Sequence, residues 1–242
     1  MLPPNKDSLS LQIGDVEPFS IVDFPEHISA VIFLKGCPWR CPFCYNTTLQ
    51  SFEPEQNAEW TFQKVLAFLE KRKKVLDSVV FSGGEPLAQN DLYSAVKTVK
   101  NLGYHIGLHT GGFMPEQLKS VLELVDWVGF DIKAPFEEAH YQRAIGAKTP
   151  IDNIKQSLAY LLSSGVDFEC RTTCDPNILT TSDLLKIGHY LSALGVKKYY
   201  LQKYRKVPTD CFSTEEQAEN LVSNAKLNTE LKSLFEVFDI RK

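Results

Sequence analysis

Three thiols lie within one short run, Cys37-Pro38-Trp39-Arg40-Cys41-Pro42-Phe43-Cys44. Thiolates are soft ligands that suit zinc or iron–sulfur clusters. Pro38 and Pro42 each remove an amide donor and disfavour helical geometry in the residue before them. The run therefore reads as a loop able to wrap its thiolates around a compact centre. A structural zinc site is closed by four ligands, usually as two pairs, and here the fourth would have to come from Cys170, Cys174 or Cys211. Three cysteines on a four-iron cluster instead leave one iron open to a substrate. The spacing favours the cluster, and a non-catalytic zinc-binding adaptor is the alternative. Cys170 and Cys174 share one face of a strand with Thr172 between them and have no third partner nearby, so they read as structural, as does Cys211. Gly83-Gly84-Glu85-Pro86 is the second string of interest, although taken alone it reads as a turn with proline opening the next helix.

These residues need elements to position them. Amphipathic helices stop at Gly103, Gly165 and Gly195, and each gives way to an apolar or β-branched run, at 104–110, 166–173 and 196–202. Further strands are expected at 29–34, 78–81 and 127–132, with a helix carrying Phe62, Val65, Leu66 and Leu69 between the first two. Six strands alternating with helices imply a parallel sheet, either doubly wound or rolled into a full or partial barrel. Ligands then bind beyond the carboxyl ends of the strands. The polar residues gather there: Lys35 to Cys37, Ser82 to Glu85, His109 with Thr110, Asp131 with Lys133, Arg171 with Thr173, and Gln202. The two-residue spacing puts Asp131 and Lys133 on one face, and likewise Arg171 and Thr173. One pocket at six strand ends follows.

The chain of 242 residues, with a net charge of −4, reads as a single α/β domain over residues 1–242, with an N-terminal segment 1–27, a barrel core 28–205 and a helical tail 206–242. The tail opens on a capping box expected at Ser213 and Glu216. The acidic balance argues against a nucleic-acid binder, and no apolar run of about 18 residues predicts a membrane span. Lys71, Arg72, Lys73 and Lys74 fit a helix end, where cations complement the dipole. The first ten residues lack the pattern of a signal peptide, which gives a cytoplasmic expectation with reduced cysteines.

The three-cysteine spacing, together with Gly83-Gly84-Glu85 at the next strand end, resembles the radical S-adenosylmethionine (SAM) enzymes. That resemblance implies a partial (β/α)6 parallel barrel, a [4Fe–4S] cluster on Cys37, Cys41 and Cys44, and SAM on the open iron. It implies that Phe43 helps to seat the adenine and that Gly83, Gly84 and Glu85 hold the methionine amino group. His109, Thr110, Asp131, Lys133, Arg171 and Gln202 line the cofactor pocket on this reading, with Asp131 and Lys133 at the methionine end and Arg171 at the carboxylate or ribose. The string 16–25, Phe81 to Leu87, Gly107 to Thr110, Phe130 to Ala134 and Arg171 to Thr173 are similar to activating enzymes of glycyl radical enzymes, above all the activator of anaerobic ribonucleoside-triphosphate reductase. This likeness covers about residues 11 to 205 and implies flavodoxin or ferredoxin as electron donor, with Asp23 and Lys133 as catalytic residues and Asp23 near the incoming glycine. A pyruvate formate-lyase activator or a small-molecule radical enzyme is the alternative. Two departures stand near the cofactor: Tyr45 precedes Asn46 where activators usually have His-Asn, and Thr110-Gly111-Gly112 replaces Thr-Asn-Gly.

Overall fold

The computed structural model describes residues 9–54, 58–207 and 212–242. Its strands are β1 (Ile13–Ser20), β2 (Ser29–Leu34), β3 (Ser78–Gly83), β4 (His105–Thr110), β5 (Trp127–Asp131), β6 (Asp167–Cys174), β7 (Lys198–Lys203) and β8 (Val237–Arg241). The crossovers carry α1 (Phe62–Arg72), α2 (Leu92–Asn101), α3 (Pro115–Val121), α4 (Glu138–Ile145), α5 (Ile151–Ser164), α6 (Thr181–Ala193), α7 (Glu215–Val222) and α8 (Ala225–Leu234). Strands such as Ser29–Leu34 are buried almost throughout, as expected when both faces of a parallel sheet are covered. The sheet runs β1 to β8 in strict sequence order. Every pair from β2 to β8 is parallel. A doubly wound sheet needs a reversal of strand order, whereas right-handed crossovers without reversal put all helices on one side and curl the sheet around the other. A partial barrel results, open where β1 and β8 form the two free edges. No helix among the described residues is long and apolar enough to cross a membrane.

Alternation along each strand builds two cores. Ile32, Phe81, Leu108, Phe130 and Leu201 face the helices and pack with Val65, Val96, Leu158 and Ile187. Val31, Val80 and Trp127 face inward and enclose Phe24 from the β1–β2 loop, which plugs the lumen. The Phe24 and Trp127 rings stack with centroids 5.3 Å apart.

Two strands go beyond the six expected. Residues 13–20 pair antiparallel with β2, with register shifts on either side of Asp15–Glu17. Pro18 is tolerated because β1 is an edge strand. At the other end the expected helical tail does contain two helices, but residues 237–241 then return to the sheet beside β7. Half-buried edge residues hide β8 from a search for buried runs. The tail's capping box is Thr214 with Gln217, one residue later than expected at Ser213 and Glu216. The Ser213 hydroxyl instead donates to the buried Asp175, so it is committed to the loop after β6. Lys71 and Arg72 close α1, as the helix-end reading expects.

Candidate active site

The cysteine loop leaves the carboxyl end of β2 and is clamped from several sides. Trp39 donates its indole N–H to Thr149 Oγ1 at 2.8 Å. Its ring lies so close over Gly111 that a β-carbon there would be 2.2 Å away, which accounts for glycine where a side chain would lift the loop. The Arg40 amide donates to the Ile145 carbonyl at 2.7 Å, and its guanidinium donates to the carbonyls of Cys37 and Trp39 at 2.6 and 2.7 Å. Cys44 N–H closes the turn on the Cys41 carbonyl at 3.0 Å. Phe43 is buried with Tyr204 from the end of β7 and Ala218 from α7, so the C-terminal region covers the loop. Neither Trp39, Arg40 nor Tyr204 carries a signal in sequence beyond its neighbourhood to the motif.

The three thiols are half-buried and none is in a disulfide. Burial pushes the Cys37 thiol up to about 11, with the Glu85 carboxylate adding to the shift. Burial likewise pushes Cys41 up to about 12, opposed by Lys133 and reinforced by Cys37 and Cys44. Three soft ligands close enough for Cys37, Cys41 and Cys44 to act on one another's charge, two of which, Cys37 and Cys41, resist ionising without a cation beside them, have the chemistry of a metal-cluster cradle. No trio of His, Cys, Asp and Glu among the described residues converges on a single ion. Of the candidate fourth ligands for zinc, Cys170 and Cys174 are wholly buried in the core formed with the helices, on the opposite face of β6 from Arg171, and Cys211 lies outside the described residues.

Gly83 and Gly84 stand where the loops after β2 and β3 touch backbone to backbone. A β-carbon on Gly83, whose φ is +114°, would lie 2.3 Å from the Leu34 nitrogen, and one on Gly84 2.4 Å from the Gly36 carbonyl oxygen. Two hydrogen bonds fix the approach, Gly84 N–H to Leu34 O at 2.8 Å and Glu85 N–H to Gly36 O at 2.9 Å. The turn reading of Gly-Gly-Glu-Pro is also met, since Glu85 caps a short 3-10 turn at Pro86–Ala88. Its carboxylate accepts from Thr110 Oγ1 at 2.6 Å, Leu87 N–H at 3.1 Å and Gly111 N–H at 2.9 Å. Glu85 thereby ties the ends of β3 and β4 together. Its pKa is raised by burial, against the pull of those three donors and of Lys133.

Across the lumen, Asp131 is the hub of a charged chain. Its Oδ1 accepts from Arg171 Nε and its Oδ2 from Lys133 Nζ, both at 2.9 Å. Burial alone would raise its pKa, but Arg171 and then Lys133 hold the carboxyl well below the usual range. Burial lowers and Asp131 raises the pKa of Lys133, and the balance keeps it a cation. Lys133 Nζ stands 5.9 Å from the centre of the Phe43 ring, and its backbone N–H donates to Tyr141 Oη at 3.3 Å. The expected grouping of Cys37, Cys41, Phe43, Glu85, Thr110, Asp131, Lys133 and Arg171 at one end of the barrel is therefore met. Gln202 is half-buried and takes its place at the end of β7, in register with Thr173 and Arg241.

His109 and Asp23 are tied to each other. His109 Nε2 is 2.9 Å from the Asp23 carbonyl oxygen, and its Nδ1 is 3.2 Å from Ser82 Oγ. A carbonyl can only accept, so Nε2 carries the proton and the serine hydroxyl donates to Nδ1. The Asp23 carboxylate accepts from Ser20 Oγ at 2.5 Å. Nε2 of His109 thus holds the β1–β2 loop in the lumen, while Ser82 on β3 fixes the ring through Nδ1. Burial, followed by the Arg171 charge, drives its pKa down to about 3. The unfolded histidine binds a proton below about 6.5 while the folded one does not, so stability falls as pH drops through that window towards 3. His109→Gln is expected to reduce the pH slope of unfolding free energy between pH 6 and 4 by up to about 1.4 kcal/mol per pH unit, measured by urea denaturation.

Residues 31–178, from β2 to just past β6, match the family model described as the Radical SAM superfamily. The chain belongs to the radical SAM superfamily. It is an enzyme of that class, whose cofactors are a [4Fe–4S] cluster and SAM. A Methanocaldococcus jannaschii protein provisionally named a glycyl-radical enzyme activating enzyme is 27% identical over 210 residues, which are 84% of this chain and 83% of that protein. The 7-carboxy-7-deazaguanine synthase of Hyperthermus butylicus is 31% identical over 189 residues, 70% of this chain and 78% of that protein. In fold, Escherichia coli QueE superposes with a TM-score of 0.58 at 14% identity, covering 96% of this chain and 94% of that one.

Proposed function

We propose that this radical SAM enzyme activates a glycyl radical enzyme, with anaerobic ribonucleoside-triphosphate reductase as the partner and flavodoxin or ferredoxin as the electron donor. The single observation that carries the chemistry is the three-thiol loop held at the mouth of the parallel strands against the Lys133–Asp131–Arg171 chain. The likeness to the Methanocaldococcus protein over most of both chains supports the activator role. Cys37, Cys41 and Cys44 would hold the cluster, which when bound supplies the electron that breaks the sulfur to 5′-carbon bond of SAM. Lys133 and Arg171 offer donors to the methionine carboxylate and the ribose, while Asp131 keeps both aimed. Phe43 seats the adenine, and Gly83 and Gly84 let backbone approach the methionine end. Thr110 and His109 position Glu85 and the Asp23 loop, Gln202 lines the rim, and Asp23 faces the incoming glycine. What the residues contribute is orientation in a confined lumen, because a misplaced reactive carbon attacks its own walls.

The relative from Hyperthermus favours a second reading, radical chemistry on a small molecule. One experiment separates the two. The enzyme is loaded with iron and sulfide without oxygen, reduced, given SAM, and assayed for 5′-deoxyadenosine; candidate anaerobic reductases are then added and examined by electron paramagnetic resonance. A glycyl radical on the ribonucleotide reductase is the expected result. Cleavage without that radical on any anaerobic reductase overturns the reductase as partner, and no cleavage by a fully loaded protein overturns the site assignment.

A further inference from the structure

The last strand carries a residue that reaches deep into the lumen. Arg241, penultimate in the chain, donates from both guanidinium ends to the two oxygens of Glu169, Nη1 to Oε1 and Nη2 to Oε2, the latter at 2.8 Å. Its guanidinium lies 3.9 Å from the centre of the Tyr200 ring, which guides it down the wall. Glu169 is 1% exposed and sits on β6 two residues before Arg171, so both side chains point into the lumen. Glu169 is in register with Gly129 of β5. Arg171 bends to that same level: its guanidinium carbon is 2.6 Å from where a Gly129 β-carbon would be, and Nη2 donates to the Gly129 carbonyl at 3.3 Å. A second carboxylate, Glu169, therefore neighbours the guanidinium that holds Asp131.

We infer that Arg241 is a positioning residue: by occupying both oxygens of Glu169, it keeps that carboxylate from drawing Arg171 away from Asp131, and so keeps the Arg171–Asp131–Lys133 chain aligned for SAM. A buried carboxylate deprived of its partner turns to a cation within reach; Lys198 of β7 is held by both oxygens of Asp167, which leaves the Arg171 guanidinium at the level of Gly129. Strand β8 thus acts on the cofactor pocket through two side chains without touching it. The inference rests on the assignment of Arg171 to SAM made above.

The test is SAM affinity of the cluster-loaded, unreduced enzyme by anaerobic equilibrium dialysis, with the thermal midpoint of each variant alongside. Arg241→Ala is expected to weaken SAM binding about tenfold. Adding Glu169→Gln removes the competing charge, and the double variant is expected to return to within about threefold of the starting affinity. A plain structural staple predicts the opposite, with the double variant binding as weakly as Arg241→Ala; that result overturns the inference. Normal affinity in Arg241→Ala overturns it too. If Arg241→Ala does not fold, Arg241→Lys, which keeps the charge but not the two-pronged contact, is read in the same way with and without Glu169→Gln. Arg171→Ala separates the two levels: no loss of affinity there overturns the role of Arg171 and this inference together, whereas loss there with none in Arg241→Ala overturns this inference only.

Discussion

Cys41→Ala is expected to abolish cluster loading and with it the formation of 5′-deoxyadenosine, a fall of more than about a thousandfold, while leaving the polypeptide folded. The argument starts from the loop's anchors. Trp39 and Arg40 hold it through Thr149 and Ile145 without using the thiols, and Phe43 packs with Tyr204 beside Cys41. The loop geometry therefore survives the loss of a sulfur. What is lost is one of three ligands, and burial pushes this thiol up to about 12, so that its thiolate form needs a cation beside it. Two thiolates cannot hold the cluster and leave one iron open. Iron content, the visible absorption of the reconstituted protein and the cleavage assay measure the loss, and far-ultraviolet circular dichroism checks the fold. Cys174→Ala is the control: Cys174 packs in the helix-facing core, and the variant is expected to load and cleave normally. A zinc site with Cys174 as fourth ligand predicts the reverse.

The sequence made the six central strands and the polar residues at their ends legible, because each strand buries its helix-facing residues, β2 to β5 bury most of the lumen face as well, and each crossover helix repeats its apolar face every three to four residues. Periodicity sees burial, and these elements are buried. β1 and β8 were not legible for the same reason, since one contains Pro18 and charged residues and the other is half-buried along its length. Arg241 was hidden with its strand, and Glu169 belongs to no motif in the sequence. Only the register of β5 to β8 brings the two into one lumen. The Gly-Gly-Glu string was legible as a motif but not in its mechanics. That Gly83 and Gly84 admit backbone contact with Leu34 and Gly36, and that Glu85 spends its oxygens on Thr110, Leu87 and Gly111, are consequences of how two loops meet. His109 was legible as a strand-end polar residue, yet its two bonds, to Ser82 and to the Asp23 carbonyl, follow from a loop entering the barrel, which no local pattern encodes.

Asp131→Asn is expected to weaken SAM binding about a hundredfold and to destabilise the protein by about 3 kcal/mol near neutral pH, measured by dialysis and by urea denaturation. The substitution keeps size and shape and removes one charge. In its place two cations, Lys133 and Arg171, face each other across a neutral amide, with side-chain exposures of 15% and 7%. An amide oxygen can accept from one of them, and its NH2 turns away from the other. Lys133 then loses the partner that holds it near the Phe43 ring, and Arg171 keeps only the Gly129 carbonyl. The pH dependence has a definite sign. Burial would raise the Asp131 pKa, but Arg171 and Lys133 pull it below the ordinary carboxylate value of 3.8, so the folded state holds the charged form more firmly than the unfolded state does. That contribution is fully present above pH 3.8 and is lost as pH falls through the folded pKa. The stability gap between the two proteins is therefore widest at neutral pH and narrows in acid. A gap that widened on acidification would mean that Asp131 is protonated at neutral pH, and the chain from Arg171 to Lys133 would then lack the charge that holds it together.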